Sequence, residues 1–337
     1  MNEVIRIGID LSKHVFQVHG VNTAEQPVLR RTLRRGQMER FFAGLSPTLI
    51  GMEACGSAHH WARVLQELGH EVRLLPPQYV KPYVKRGKND AADAEAICEA
   101  LSRPSMRFVP VRSKENQAEL MLLTTRDLLM KQKTMLINAI RAHAAEFGVT
   151  GAKGSDSITA LQQRIATTEA MPQLAREVLA RLFEQMNSLD QQARELERQL
   201  KAWHRNHTES RRLATIPGIG PIIATALTMK VPDPRVFQSA RHFAAWLGLT
   251  PKDHSTAGRQ RLGVITRAGD ETLRRLLVNG ATAVIKYAKP GRASAWLLNL
   301  LARKPRKLVA VALANRMARI AWVLMTRGEV YRASLPA

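Results

Sequence analysis

The chain has 337 residues, 45% of them hydrophobic, and sets 51 lysines and arginines against 28 acids for a formal charge of +23. That length holds two or three domains with their own cores. Cys55 and Cys98 fit neither a disulfide framework nor a metal-ligand spacing, no secretory h-region opens the chain, and no uninterrupted apolar run approaches the roughly 18 residues of a membrane span, so a reducing interior without a membrane partner is expected. A charge this large repels itself unless a polyanion neutralises it, and because basic residues recur along the whole chain, nucleic acid is the expected partner rather than acidic lipid.

Val4 to Asp10 alternates as a strand, turns through Leu11 to Lys13, and is followed by a second β-like run from Val15 to Val21. Pro27 to Leu33 reads as a third strand and Gln37 to Leu45 as a short helix. Thr48 to Met52 is a short apolar strand ending at Glu53; a helix starts near Gly56-Ser57 and runs to Leu68; Val72 to Leu75 is a strand closed by Pro76-Pro77. After a basic connector, Lys81 to Lys88, a helix begins at Asn89 or Asp90. Strands followed by alternating helix and strand predict an α/β or mixed-sheet domain over residues 1–110. Ser113 to Phe147 and Ser157 to Trp203 are polar-rich and helical, separated by a loop from Gly148 to Asp156, and are expected to form a helical arm over 111–208, as a coiled coil or as two helices of an ordinary bundle. Residues 209–337 are expected to form a mostly helical domain, with a polar loop from Thr250 to Ile265 and helices over Asp270 to Ala288 and Arg306 to Thr326.

Asp90 and Asp93 are three apart on a predicted helix, so their carboxylates share a face. Asp10 and Glu53 end predicted strands, where side chains line the crevice of an open sheet. Four carboxylates so placed suit Mg2+ or Mn2+, and two such ions stabilise the attacking and leaving oxygens of a phosphodiester displacement. Each acid also has a plain reading: Asp90 as an N-cap, Asp93 as a first-turn acid, Asp10 in a turn, Glu53 in solvent.

Ile216-Pro217-Gly218-Ile219-Gly220 is similar to the turn of a helix-hairpin-helix module, where Gly218 and Gly220 would let backbone N–H groups hold a phosphate; the plain reading is a helix-to-helix turn. The loop His254-Ser255-Thr256-Ala257-Gly258-Arg259-Gln260-Arg261 is polar and basic and is followed by Arg267, Arg274 and Arg275, all candidates for nucleic-acid contacts. Ser255 read alone is a nucleophile, a phosphate-binding hydroxyl or an ordinary loop residue. His59, His60 and His204 lack metal-ligand spacing and are expected to serve packing or solvation.

Gly8-Ile9-Asp10-Leu11-Ser12-Lys13, Gly51 to Gly56, Lys88 to Ala96 and Gly248 to Gly269 together resemble the DEDD transposases of bacterial insertion sequences, the insertion-sequence one-hundred-and-ten family, and its subgroup that includes Piv-type DNA invertases. The resemblance covers nearly the whole chain in order. It implies an RuvC-like (RNase H fold) N-terminal domain, a coiled-coil insertion and a C-terminal transposase domain. It also implies a bacterial, cytoplasmic, nucleoid-associated protein acting on donor and target DNA, guided by a noncoding bridge RNA and assembled as a dimer or tetramer. It maps the metal-binding acids onto Asp10, Glu53, Asp90 and Asp93 and a catalytic serine onto Ser255, which would form a covalent phosphoserine. One departure is Ala257 where the family commonly has a glycine. The alternatives are a structure-specific, Holliday-junction-like nuclease using the acids without the serine, and a nonenzymatic nucleic-acid-binding protein.

Overall fold

The computed structural model describes residues 3–84, 89–152, 154, 157–256, 258–291 and 293–332. The chain divides into two units, Met1–Gln117 and Ala118–Ala337.

In the first unit, period-two alternation of apolar residues produces the strands β1 (Arg6–Leu11), β2 (Val15–Val21) and β3 (Pro27–Arg34), a three-stranded antiparallel meander. β4 (Leu49–Glu53) then lies parallel to β1, and β5 (Glu71–Leu75) parallel to β4, giving the sheet order β3-β2-β1-β4-β5. The helices α1 (Met38–Ala43) and α2 (Ala58–Glu67) pack with Ile7, Ile9, Phe16, Ile50 and Met52 on one sheet face. Buried His70 ties this layer together: its Nδ1 accepts the Thr48 N–H at 3.2 Å, which leaves Nε2 to donate to the Phe42 carbonyl at 3.0 Å. A short helix α3 (Pro77–Val80) precedes α4 (Asp90–Leu101), which covers the other face through Ile97, Ala100 and Leu101. Of the expected basic connector, residues 85–88 lie outside those described.

In the second unit, α5 (Lys114–Ala145) and α7 (Gln173–Asn206) run antiparallel, with α6 (Ile158–Thr167) between them in sequence. Three polar bridges at seven-residue steps along α5 fix the pairing: Glu119 with the Trp203 Nε1–H at 2.7 Å, Arg126 with Glu197, and Lys133 with Asp190 at 2.5 Å. The single helix expected from Ser157 to Trp203 is broken between α6 and α7 because Pro172 lacks an N–H and fits the N-cap of α7 instead. The far end of the pair has its own core, including Ile140, Leu161, Leu179 and Phe183. Near its base, Leu120, Leu123 and Leu200 join the main core of this unit.

That main core is built by α8 (Thr208–Leu213), α9 (Pro221–Lys230), α10 (Ala240–Trp246), α11 (Glu271–Lys286), α12 (Ala295–Arg303) and α13 (Arg306–Arg327). The expected loop from Thr250 to Ile265 contains a two-stranded antiparallel ribbon, β6 (Pro251–Asp253) and β7 (Leu262–Ile265). Among the described residues one helix, α13, is long and apolar enough to cross a membrane. One of its faces, with Val309, Ala314, Met317, Ala321 and Leu324, is buried in the core. A second face, on which Lys307, Asn315, Arg316 and Arg319 alternate with Leu308, Val311, Ala312, Ile320 and Val323, lines a groove of about 1190 Å3 whose other wall includes Leu262, Val264 and Trp296.

Candidate metal site and serine loop

The acids are positioned by two glycines. Gly8 and Gly51 are register partners on β1 and β4, and Asp10 and Glu53 follow each by two residues, so all four share the face covered by α4. A Cβ on Gly8 would come within 2.5 Å of the Cys98 N and closer still to the Ala94 carbonyl, and one on Gly51 within 2.9 Å of a Leu101 methyl. Two bare backbones side by side thus seat α4 directly on the sheet. The first turn of that helix carries Asp90 and Asp93. Asn89 is the N-cap, its Oδ1 accepting the Ala91 N–H at 3.1 Å, so Asp90 is released from the capping role it could have played.

One carboxylate oxygen from each of Asp10, Asp90 and Asp93 lies within 4.8 Å of the others. Glu53 belongs electrostatically to the same cluster. Burial first, then Asp93 and Asp90, push the Asp10 carboxyl up to about 6; burial, then Asp10 and Asp93, push Glu53 above the usual carboxylate range. Among the described residues no basic side chain forms an ion pair with any of the four. Carboxylates gathered without a counter-charge fit a hard divalent cation, which takes oxygen ligands and removes the repulsion among them. The neighbouring Cys55 thiol is pushed up by burial, Glu53 and Asp10, and stays protonated at neutral pH. His59 is no part of this chemistry. Its Nδ1 accepts the Arg112 N–H at 3.2 Å, and burial, with Arg112 and Arg63, lowers its imidazole to about 4. His204 is likewise occupied, bonded to the buried Ser210 hydroxyl at 2.7 Å.

Ser255 stands exposed between β6 and β7. Its N–H donates to Asp253 Oδ1 at 2.8 Å, and its Oγ accepts the Arg261 N–H at 3.0 Å. The nearby Ser255 hydroxyl and its N–H hold the Asp253 carboxyl below its usual range. Asp253 escapes a reading of the sequence, since only the folded turn brings residues i and i+2 together. Thr256 and Arg259 close the tip by mutual backbone bonds, and Gly258 there takes a φ of +80°. Ala257 lies outside the described residues.

The glycines of the 216–220 turn do different work. Gly218, at φ +88°, is wedged against α11, where its carbonyl occupies the space a Cβ on Gly280 would need. Gly220 is exposed and caps α9 with open space around it. The arginines also divide. Arg259 and Arg261 are exposed, and Arg267 lines the groove beside α13. Arg274 instead donates to the carbonyls of Ala268 at 2.7 Å and Leu247 at 3.0 Å, and Arg275 pairs with the buried Asp127 of α5.

Residues 7–148 match the family model of DEDD transposases of the IS110 type, and residues 210–296 match that of the IS116/IS110/IS902 transposase family. A Sinorhizobium fredii protein named as a transposase, y4pF/y4sB, is 58% identical over 335 residues, which cover 98% of this chain and 87% of that one. The chain belongs to the IS116/IS110/IS902 transposase family. The transposase for insertion sequence element IS1328 of Yersinia enterocolitica is 41% identical over 98% of this chain and 99% of its own length. The pilin gene-inverting protein of Moraxella bovis is a more distant relative, 23% identical over 96% of this chain and 97% of its own.

Proposed function

We propose that this transposase cuts and rejoins donor and target DNA with Ser255 as nucleophile and Asp10, Glu53, Asp90 and Asp93 as holders of Mg2+ or Mn2+. The observation that carries the reading is the convergence of Asp10, Asp90 and Asp93 to within 4.8 Å on a face seated by Gly8 and Gly51. The sheet order, a meander joined to two parallel strands, supports an RuvC-like, RNase H-type fold for residues 1–110. The ions, when bound, stabilise charge developing on the reacting oxygens. The Ser255 Oγ forms a bond to phosphorus as the bond to the leaving sugar oxygen breaks. Its proton passes toward Asp253, which the Ser255 N–H holds beside it, and water protonates the leaving oxygen. Gly220, Arg259, Arg261 and Arg267 hold phosphates, whereas Gly218, Arg274 and Arg275 brace the core from which the loop projects. The likeness to the Moraxella bovis inverting protein supports a place near the Piv-type invertases.

Residues 111–208 act as a coiled-coil arm. On α5, Met121, Leu128 and Met135 stand 66%, 53% and 69% exposed at seven-residue steps, which supports pairing of the arm with a second copy into a dimer or tetramer. Residues 209–337 form the serine-bearing transposase domain. A bridge RNA directs both DNA substrates, and the charge of +23 suits a chain that handles two kinds of nucleic acid in the bacterial cytoplasm, at the nucleoid.

Incubation with guide RNA, cognate DNA and Mg2+ should leave protein covalently joined to a DNA end. Ser255→Ala should lose the adduct. Cleavage that persists in Ser255→Ala would replace the recombinase by a metal-dependent nuclease, and intact DNA with wild type under every condition would leave a nucleic-acid-binding protein.

A further inference from the structure

The sheet face that carries the acids does not end at α4. Register places Gln17 of β2 opposite Asp10, and Thr32 of β3 opposite Gln17, so the three form one row across the sheet. The Thr32 hydroxyl donates to Gln17 Oε1 at 2.9 Å, which locks the row. On β3 the same face shows Arg30 and Arg34, two residues to either side of Thr32 and both exposed. None of the ion pairs among the described residues uses either arginine. β3 is the edge strand, so nothing in the sheet lies beyond them.

We infer that Arg30, Thr32 and Arg34 form a track for the phosphodiester backbone of the DNA strand presented to the acids, with Gln17 bridging track and cluster. Two interstrand spacings put Thr32 about 10 Å from Asp10, close enough for one backbone to lie on both. The arginines are about 13 Å apart along β3, far enough for each to take a different phosphate of one strand. Guanidinium groups grip phosphate in a bidentate fork, while the Thr32 hydroxyl between them, its proton given to Gln17, holds the bridge from track to cluster. Beside carboxylates that repel DNA, such a track anchors the strand on the protein side of the cut. This deepens the proposed function, since it takes the acids as the place of cutting.

Full-length wild type, Arg30→Gln/Arg34→Gln and Arg30→Lys/Arg34→Lys are titrated with a labelled DNA duplex of arbitrary sequence between about 50 and 200 mM salt. The glutamine pair should weaken binding roughly tenfold at the upper end and lower the salt slope by about 2, near 0.9 for each lost contact. The lysine pair should keep the slope. Arg181→Gln/Lys201→Gln, an equal loss of charge on exposed positions of α7, should stay within about twofold of wild type. Saturating DNA should restore the cutting rate of the glutamine pair. Equal weakening in both charge-loss variants would reduce Arg30 and Arg34 to net charge. Unchanged DNA binding with self-association of the glutamine pair would make them guards of a bare sheet edge. A loss confined to an RNA duplex would assign the face to RNA. Any of the three overturns the inference. Binding is read without cleavage, so a dispensable Ser255 would sink the proposed chemistry and leave this result standing.

Discussion

The acid cluster and the serine ribbon are built by opposite means. The cluster draws on two strands and a helix distant in sequence, and its carboxylates are forced together against their own repulsion. The ribbon is local: Asp253, Ser255, Thr256, Arg259 and Arg261 hold one another by bonds spanning at most six residues. Charges that repel need a scaffold that will not yield, because every ångström of relaxation lowers their energy. The proposed nucleophile, Ser255, needs access to phosphorus, and a small exposed ribbon gives that hydroxyl access with little folding energy at stake.

That contrast can be broken most forcefully at the scaffold. Gly8→Ala should cost at least about 3 kcal/mol in denaturant titrations, since the new methyl meets helix backbone. Gly51→Ala should cost nearer 1 kcal/mol because the Leu101 side chain can turn aside, and Gly56→Ala, with open space around it, should cost nothing comparable. Equal effects at all three positions would mean that α4 is not seated as described.

Asp10→Asn and Asp93→Asn should abolish strand cleavage in a gel assay while raising the metal-free melting temperature, because each removes a like charge. Ser255→Ala should abolish the adduct with no shift in melting temperature. A large loss of stability there would make the ribbon structural.

The smallest effect is in pH. Asp10 has its folded pKa raised from 3.8 to about 6, so the stability that its protonated form confers is lost as pH climbs between those values. His59 has its folded value lowered from 6.5 to about 4, so its contribution is present above 6.5 and lost as pH falls toward 4. The two oppose each other in wild type. Asp10→Asn should unmask the His59 slope, with melting temperature rising with pH from about 4 to 6.5.

The places of the four acids in the fold are legible because each follows a local signal: an apolar alternation that stops, or a helix start after Asn89. Even the bland reading of Asp90 was resolved locally, by the neighbour that took the cap. The glycines in front of Asp10 and Glu53 were visible as letters but not as a seat, because what they accommodate, Ala94 and Cys98, lies some 90 residues away from Gly8. The ribbon flanking Ser255 reads as loop since its strands are too short and exposed for alternation to register, and α12 falls outside the expected helices. Arg274 and Arg275 looked like Arg259 and Arg261 in sequence. Only packing reveals that the first two are held by carbonyls and by Asp127.

The apolar residues that α13 lays along its open groove have a practical consequence. With Leu308, Val311, Ile320 and Val323 along an open groove, the native protein should bind environment-sensitive hydrophobic dyes before any heating. Dye-based melting curves would start bright and flat, and the folded state would be mistaken for a partly unfolded one. Tryptophan emission follows unfolding without that artefact, with Trp61 in the first unit and Trp203, Trp246, Trp296 and Trp322 in the second.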